Sequence, residues 1–153
     1  MKLSHYFIAL MAILTLSACE HPEQVTTEKY PPLESIANTL WYSVDTKNQI
    51  YYDITYNETT GTMVGYKNSL REEIVSERSF TYTFTPETEL HDALVMLTFD
   101  DGQRYGGILV PKGNFQVNDR DVYWIQLYEG DDKGDIIYDE NGNIKSTILM
   151  WRE

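Results

Sequence analysis

FTYTFT, residues 80–85, puts Phe80, Tyr82 and Phe84 on one parity and Thr81, Thr83 and Thr85 on the other. Successive residues of an extended strand point to opposite faces, so this stretch reads as a strand with one buried and one solvated face. IYYDITY, residues 50–56, repeats the pattern, with Ile50, Tyr52, Ile54 and Tyr56 against Tyr51, Asp53 and Thr55. Working outward, strands are expected at Thr39–Asp45, Gln49–Tyr56, Thr62–Lys67, Leu94–Phe99, Arg104–Val110, Asp121–Tyr128 and Ile144–Trp151, with Glu72–Phe84 forming one long strand or two short ones.

Turn chemistry separates these segments. Asp101-Gly102 and Asn141-Gly142 supply the positive φ angles of tight hairpin turns, and Asn57–Gly61 suits a longer hairpin loop. Gly106-Gly107 lies inside a strand and marks an expected bulge or bend. Pro32–Asn38 suits a short helix and Pro86–Ala93 one further turn, with no helix of three turns anywhere. The chain therefore reads as all-β, with eight or nine antiparallel strands. Short connections favour pairing in order, and closing the sheet removes its exposed edges, so an up-and-down barrel is expected, with a β-sandwich as the alternative.

The front of the chain has a different grammar. Met1 and Lys2 make a short positive start, and Tyr6–Leu16 is apolar apart from Thr15. That core is too short for a transmembrane helix and fits a signal peptide, which sets residues 1–18 apart from the fold. Leu16-Ser17-Ala18-Cys19 resembles the lipobox of bacterial lipoproteins. The resemblance implies a diacylglycerol on the Cys19 thiol, cleavage before it and acylation of the new amino terminus. It thereby implies a cell-envelope location, anchored to a bacterial membrane, the outer membrane being expected. Cys19 is the one cysteine of the chain, so its lipidation leaves no thiol for a disulfide or a metal. Glu20–Pro32 is proline-containing and charged with almost no large aliphatic side chains, so residues 19–35 are expected to be a lipidated cysteine and tether ahead of one barrel domain, 36–153.

The folded segment opens with Asn38–Asp45, NTLWYSVD, which resembles the first strand of lipocalin-like proteins, where Gly-x-Trp-Tyr starts the barrel. Trp41 and Tyr42 match the pattern, while Thr39 stands at the glycine position. The resemblance implies an eight-stranded barrel able to hold a small ligand. It also implies an arginine near the last strand stacked on the tryptophan, a role in which Arg152 would close one end by a cation–π contact with Trp41.

Motifs for catalysis are lacking. His91 is the sole histidine of residues 36–153, which gives no zinc set, and no Gly-x-Ser-x-Gly elbow presents a nucleophile. Asp100-Asp101 and Glu72-Glu73 are adjacent pairs, which strands point to opposite faces. Glu129–Asp135 and Asp139–Asn143 are acidic loops, but the glycine of the second falls too early for the EF-hand order, and solvated hairpins are the favoured reading. No enzyme, metal site or cofactor is expected. With 24 acidic and 12 basic residues the chain has a formal charge of −12, which argues against nucleic-acid binding.

Aromatic residues remain as the lead to function. Tyr52, Tyr56 and Tyr82 sit on the inward parity, where they either fill the barrel or line a cavity, and Trp124 falls on the parity facing water. These four are the candidate ligand-binding residues. The expected activity is binding of a small hydrophobic or aromatic-stackable ligand by the anchored barrel; the alternative is a non-enzymatic envelope protein that docks onto another protein through its acidic surface.

Overall fold

A computed structural model describes residues 30–153. Cys19, the signal segment and most of the tether lie outside them. Ten strands follow in order: β1 Thr39–Asp45, β2 Ile50–Tyr56, β3 Thr60–Tyr66, β4 Ile74–Thr85, β5 Ala93–Phe99, β6 Arg104–Val110, β7 Gln116–Val117, β8 Arg120–Asp121, β9 Tyr123–Gly130 and β10 Thr147–Arg152. Eight close into an antiparallel barrel in the order β1-β10-β9-β6-β5-β4-β3-β2, while β7 and β8 form a separate two-residue hairpin between β6 and β9. The fold is thus the all-β, up-and-down barrel that the alternation implies, and closure excludes the sandwich.

Several details differ from the sequence reading. Glu72–Phe84 gives one strand, which starts at Ile74. The strand expected from Asp121 begins at Tyr123, because Arg120 and Asp121 turn back to pair with Val117 and Gln116. The last strand begins at Thr147, not Ile144. Neither proline segment makes a helix among the described residues; Ala37 and Asn38 form only a turn before β1, and Asn38 takes a positive φ of 57°. The β5–β6 and β6–β9 registers run straight through Gly106-Gly107 with no bulge, and the one shift falls between Gly65 and Tyr66, where β3 meets β4.

Three loops share one construction. At 99–103, 131–135 and 139–143 the first residue's N–H donates to the carbonyl of the fifth, and the glycine at the fourth position, with φ between 79° and 90°, donates back to the first carbonyl. This is a three-residue hairpin loop with its glycine in the left-handed region. In the latter two, Asp131 and Asp139 accept backbone N–H groups through Oδ1, so these carboxylates close their own turns. The described residues contain no grouping of three metal-ligating side chains.

The interior is filled by aromatic rings meeting edge to face. Trp41 meets Tyr56 at 6.5 Å, Tyr56 meets Phe80 at 5.3 Å and Tyr82 at 4.8 Å, Phe80 meets Phe99 at 5.5 Å, and Phe99 meets Tyr105 at 5.9 Å. Ile36, Ile54, Met63, Ala93, Val95, Leu97, Leu109, Ile125, Leu127 and Met150 complete the buried core. Each large side chain withdrawn from water contributes roughly 1.5–3 kcal/mol, and edge-to-face pairing adds about 0.5–1.5 kcal/mol per pair. Trp41 Nε1 donates to Thr39 Oγ1 at 2.8 Å, and the Thr39 hydroxyl donates to the Ile36 carbonyl, which pins the entering chain across this end.

The two glycines of β6 have different reasons to be glycine. A Cβ on Gly107 would collide with the backbone oxygen of Gln126 on β9, whereas one on Gly106 would meet only the Met96 side chain, at 4.0 Å. Gly107→Ala is expected to cost ~2 kcal/mol through overpacking, and Gly106→Ala to gain about 0.5 kcal/mol from reduced backbone entropy. Urea unfolding of the two variants checks the contrast, and equal effects would refute it.

Candidate functional site

The two ends of the barrel are unlike. At one end Ile36, Trp41 and Tyr56 are fully buried, and Tyr82 donates its hydroxyl to the carbonyls of Asn57 at 2.6 Å and Glu58 at 3.0 Å. That end is shut. At the other end a cavity of about 390 Å³ opens among the starts of β4, β6 and β10 and the end of β1.

The position of this cavity follows from the pairing. β1 and β10 share a single registered pair, Tyr42 with Trp151, while every other neighbouring pair in the barrel is registered along most of its length. Beyond that pair the two strands part. Ser43, Val44, Asp45 and Thr46 form one lip of the gap, and Ser146, Thr147, Ile148 and Leu149 the other. Tyr52, Met63, Arg78 and Tyr105 line the inside.

Several polar groups of the lining are held by neighbours. Arg78 lies on the inward parity of β4; its guanidinium stacks 3.8 Å from the Phe99 ring centre, and Nη2 donates to Asp101 Oδ2 at 2.7 Å and Gln103 Oε1 at 2.8 Å. Asp101 is held below the usual carboxylate range chiefly by the Gln103 backbone N–H, with Arg78 adding to it. Asp45 accepts the Asn48 side chain at 2.7 Å and the backbone N–H groups of Lys47 and Asn48; the Asn48 side-chain bond leads in lowering its pKa. Tyr105 and Ser146 are joined hydroxyl to hydroxyl at 2.9 Å. Burial pushes Tyr52 and Tyr105 above the usual phenol range, with Asp45 adding to the rise at Tyr52 and Glu129 at Tyr105.

The residues singled out in the sequence separate cleanly. Tyr52 lines the cavity. Tyr56 does not: it is fully buried in the aromatic core, its hydroxyl 3.3 Å from Met150 Sδ, and burial drives its pKa far upward. Tyr82 belongs to the shut end. Trp124 lies on the outer face, register partner of Trp151 and tilted against Phe115 at 4.3 Å, so it braces strands and a loop. Trp41 and Arg152 fall one step beyond the Tyr42–Trp151 pair, but the cation–π contacts of the described residues are Arg71 on Tyr42, Arg78 on Phe99, and Lys112 on Tyr30 and Tyr123. The expected closing contact is not among them; the indole is fully buried and its N–H donates to the Thr39 hydroxyl. His91 is an exposed loop residue.

Sequence reasoning missed Ser43, Arg78, Tyr105 and Ser146. Arg78 had a signal, because it shares parity with Phe80, Tyr82 and Phe84 and so places a cation on the face that carries the aromatic rings.

A second depression, of about 450 Å³, lies on the outer wall. Its floor is Gly106-Gly107 and its sides are Leu94, Met96, Ile108, Tyr128 and Ile136, of which Leu94, Met96 and Ile136 are exposed.

Geometry thus defines a closed eight-stranded β-barrel with one plugged end and one cavity at a parted seam. No protein-family model, curated protein or solved structure matches the chain.

The pH response of the fold follows from the tyrosines. Tyr52, Tyr56, Tyr82 and Tyr105 are all raised above the ordinary value of 10.0, in each case first by burial. Keeping them neutral stabilises the fold fully below that value, and the contribution drains away as pH climbs toward the higher folded values. Urea unfolding is expected to show stability falling above pH ~10, with a shallower fall in Tyr56→Phe. An identical slope in that variant would contradict the assignment.

Proposed function

We propose that this chain is a membrane-anchored envelope protein whose barrel binds one small ligand in the cavity at the β1–β10 seam. The observation that carries the reading is the cavity itself, about 390 Å³ and lined by Tyr52, Tyr105, Ser43, Ser146 and Arg78. Small-molecule sites run from about 300 to 1,000 Å³ and combine apolar surface with a few placed polar groups. The volume suits a compact ligand rather than a long acyl chain, since the aromatic core occupies the remainder of the interior. Anchoring rests on the lipobox-like Leu16–Cys19.

Protein purified from its native host is expected to release a reproducible small molecule on denaturation, detected by mass spectrometry. A Ser43→Trp variant, which fills the seam, should lose it while keeping its thermal transition. A fatty-acid probe should label the wild type and not Cys19→Ala. Absence of any released molecule would defeat the binding reading, and an unlabelled wild type the anchoring.

A second reading, docking onto another envelope protein, is favoured by the apolar depression over Gly106-Gly107, because exposed apolar surface of this kind marks interaction sites. Crosslinking in intact cells would then capture one dominant partner from the wild type and lose it in Met96→Glu; capture unaltered by that substitution would remove the reading.

A further inference from the structure

We propose that the seam cavity receives a small ligand bearing a primary ammonium group, and that the free oxygen of Glu129 is its anchor; this rests on the cavity being a ligand site. Glu129 ends the inward row Ile125, Leu127, Glu129 of β9 and is 5% exposed. Its Oε1 accepts the Lys145 ammonium at 2.9 Å, and its Oε2 has no hydrogen-bond partner among the described residues. A buried carboxylate oxygen without a donor is costly, and such atoms call for a partner.

Glu129 is not itself a lining residue of the cavity, but its register and backbone neighbours are. Glu129 is register partner to Tyr105 on β6, and its N–H donates to the Ser146 carbonyl at 3.0 Å. Tyr105 and Ser146 both line the cavity, and their hydroxyls are bonded to each other at 2.9 Å. An entering ammonium reaches Oε2 by parting that pair, and gains two hydroxyl acceptors as it does so. Lys145 already shows at Oε1 the contact an ammonium would make at Oε2.

Charge selects the same class. Among the described residues that line the cavity Arg78 is the one cation, and it is already committed to Asp101 and to the Phe99 face. Asp45 on the lip is a further carboxylate, its partners being Asn48 and backbone N–H groups. The chain's acidic excess raises the local concentration of cations over anions. The tyrosine rings of the lining offer apolar faces for the body of an aralkyl amine.

Three probes with one ring and different heads test this: phenethylamine, 2-phenylethanol and phenylacetate, titrated into the full chain in detergent against a detergent blank, with amide shifts followed by NMR. Phenethylamine is expected to bind about tenfold tighter than the alcohol, as a charge-assisted bond replaces a neutral one, with phenylacetate weakest and shifts centred on Tyr105, Glu129 and Ser146. Glu129→Gln should abolish the preference of amine over alcohol. Should that variant fail to fold, Lys145→Met, which frees Oε1 at a half-exposed position, should strengthen the preference, and no change in it would overturn the proposal. Preference for phenylacetate, or equal binding of all three, overturns the ammonium assignment while leaving the cavity a ligand site. Binding by none overturns the assignment too, and the native extract then decides the cavity reading separately.

Discussion

Five aromatic rings, from Trp41 through Tyr56, Phe80 and Phe99 to Tyr105, cross the barrel interior edge to face, and the rest of the molecule is arranged around them. The described residues hold no cysteine, and what these rings and their aliphatic neighbours bury is the core that supports the barrel. Large rings suit the task, because eight strands leave a bore that side chains can just fill. They also impose a cost on their surroundings: Gly61 faces the Phe80 ring where no Cβ fits.

The same filling confines the site. With one end occupied by Trp41, Tyr56 and Tyr82, open interior survives only where the rings give way to Arg78, Tyr52 and the Tyr105 hydroxyl. The loose join between β1 and β10 falls at that end. Sequence ends of a closed sheet must meet somewhere, and here the meeting of first and last strands is incomplete. Cavity surface is thus gained where pairing is given up, and polar lining is tolerable there because water reaches it.

Strand existence was legible because alternation is strong: FTYTFT and IYYDITY each carry their inward aromatics without interruption. Strand ends were less so. Asp121 looks continuous with the strand that follows, yet a two-residue hairpin claims it, and Ile144 is drawn into a bridge with Tyr138 rather than into β10. These are local contests of hydrogen bonding that periodicity does not register. The site was half legible. Parity placed Tyr52 inside but could not tell it from Tyr56, since both face the axis and only their height along it decides which is packed and which lines a cavity. Glu129 was read as part of an acidic loop, although its parity with Ile125 and Leu127 carries it inward.

Where the chain enters the barrel has a directional consequence. Tyr30 donates its hydroxyl to Asp121, and the Pro31 carbonyl accepts the Tyr123 hydroxyl, both beside the plugged end. Any mooring upstream of Tyr30 therefore pulls from the pole opposite the seam. A pull on residue 30 thus bears on the plugged pole and leaves the seam unloaded, so chain entry and cavity mouth are kept mechanically apart.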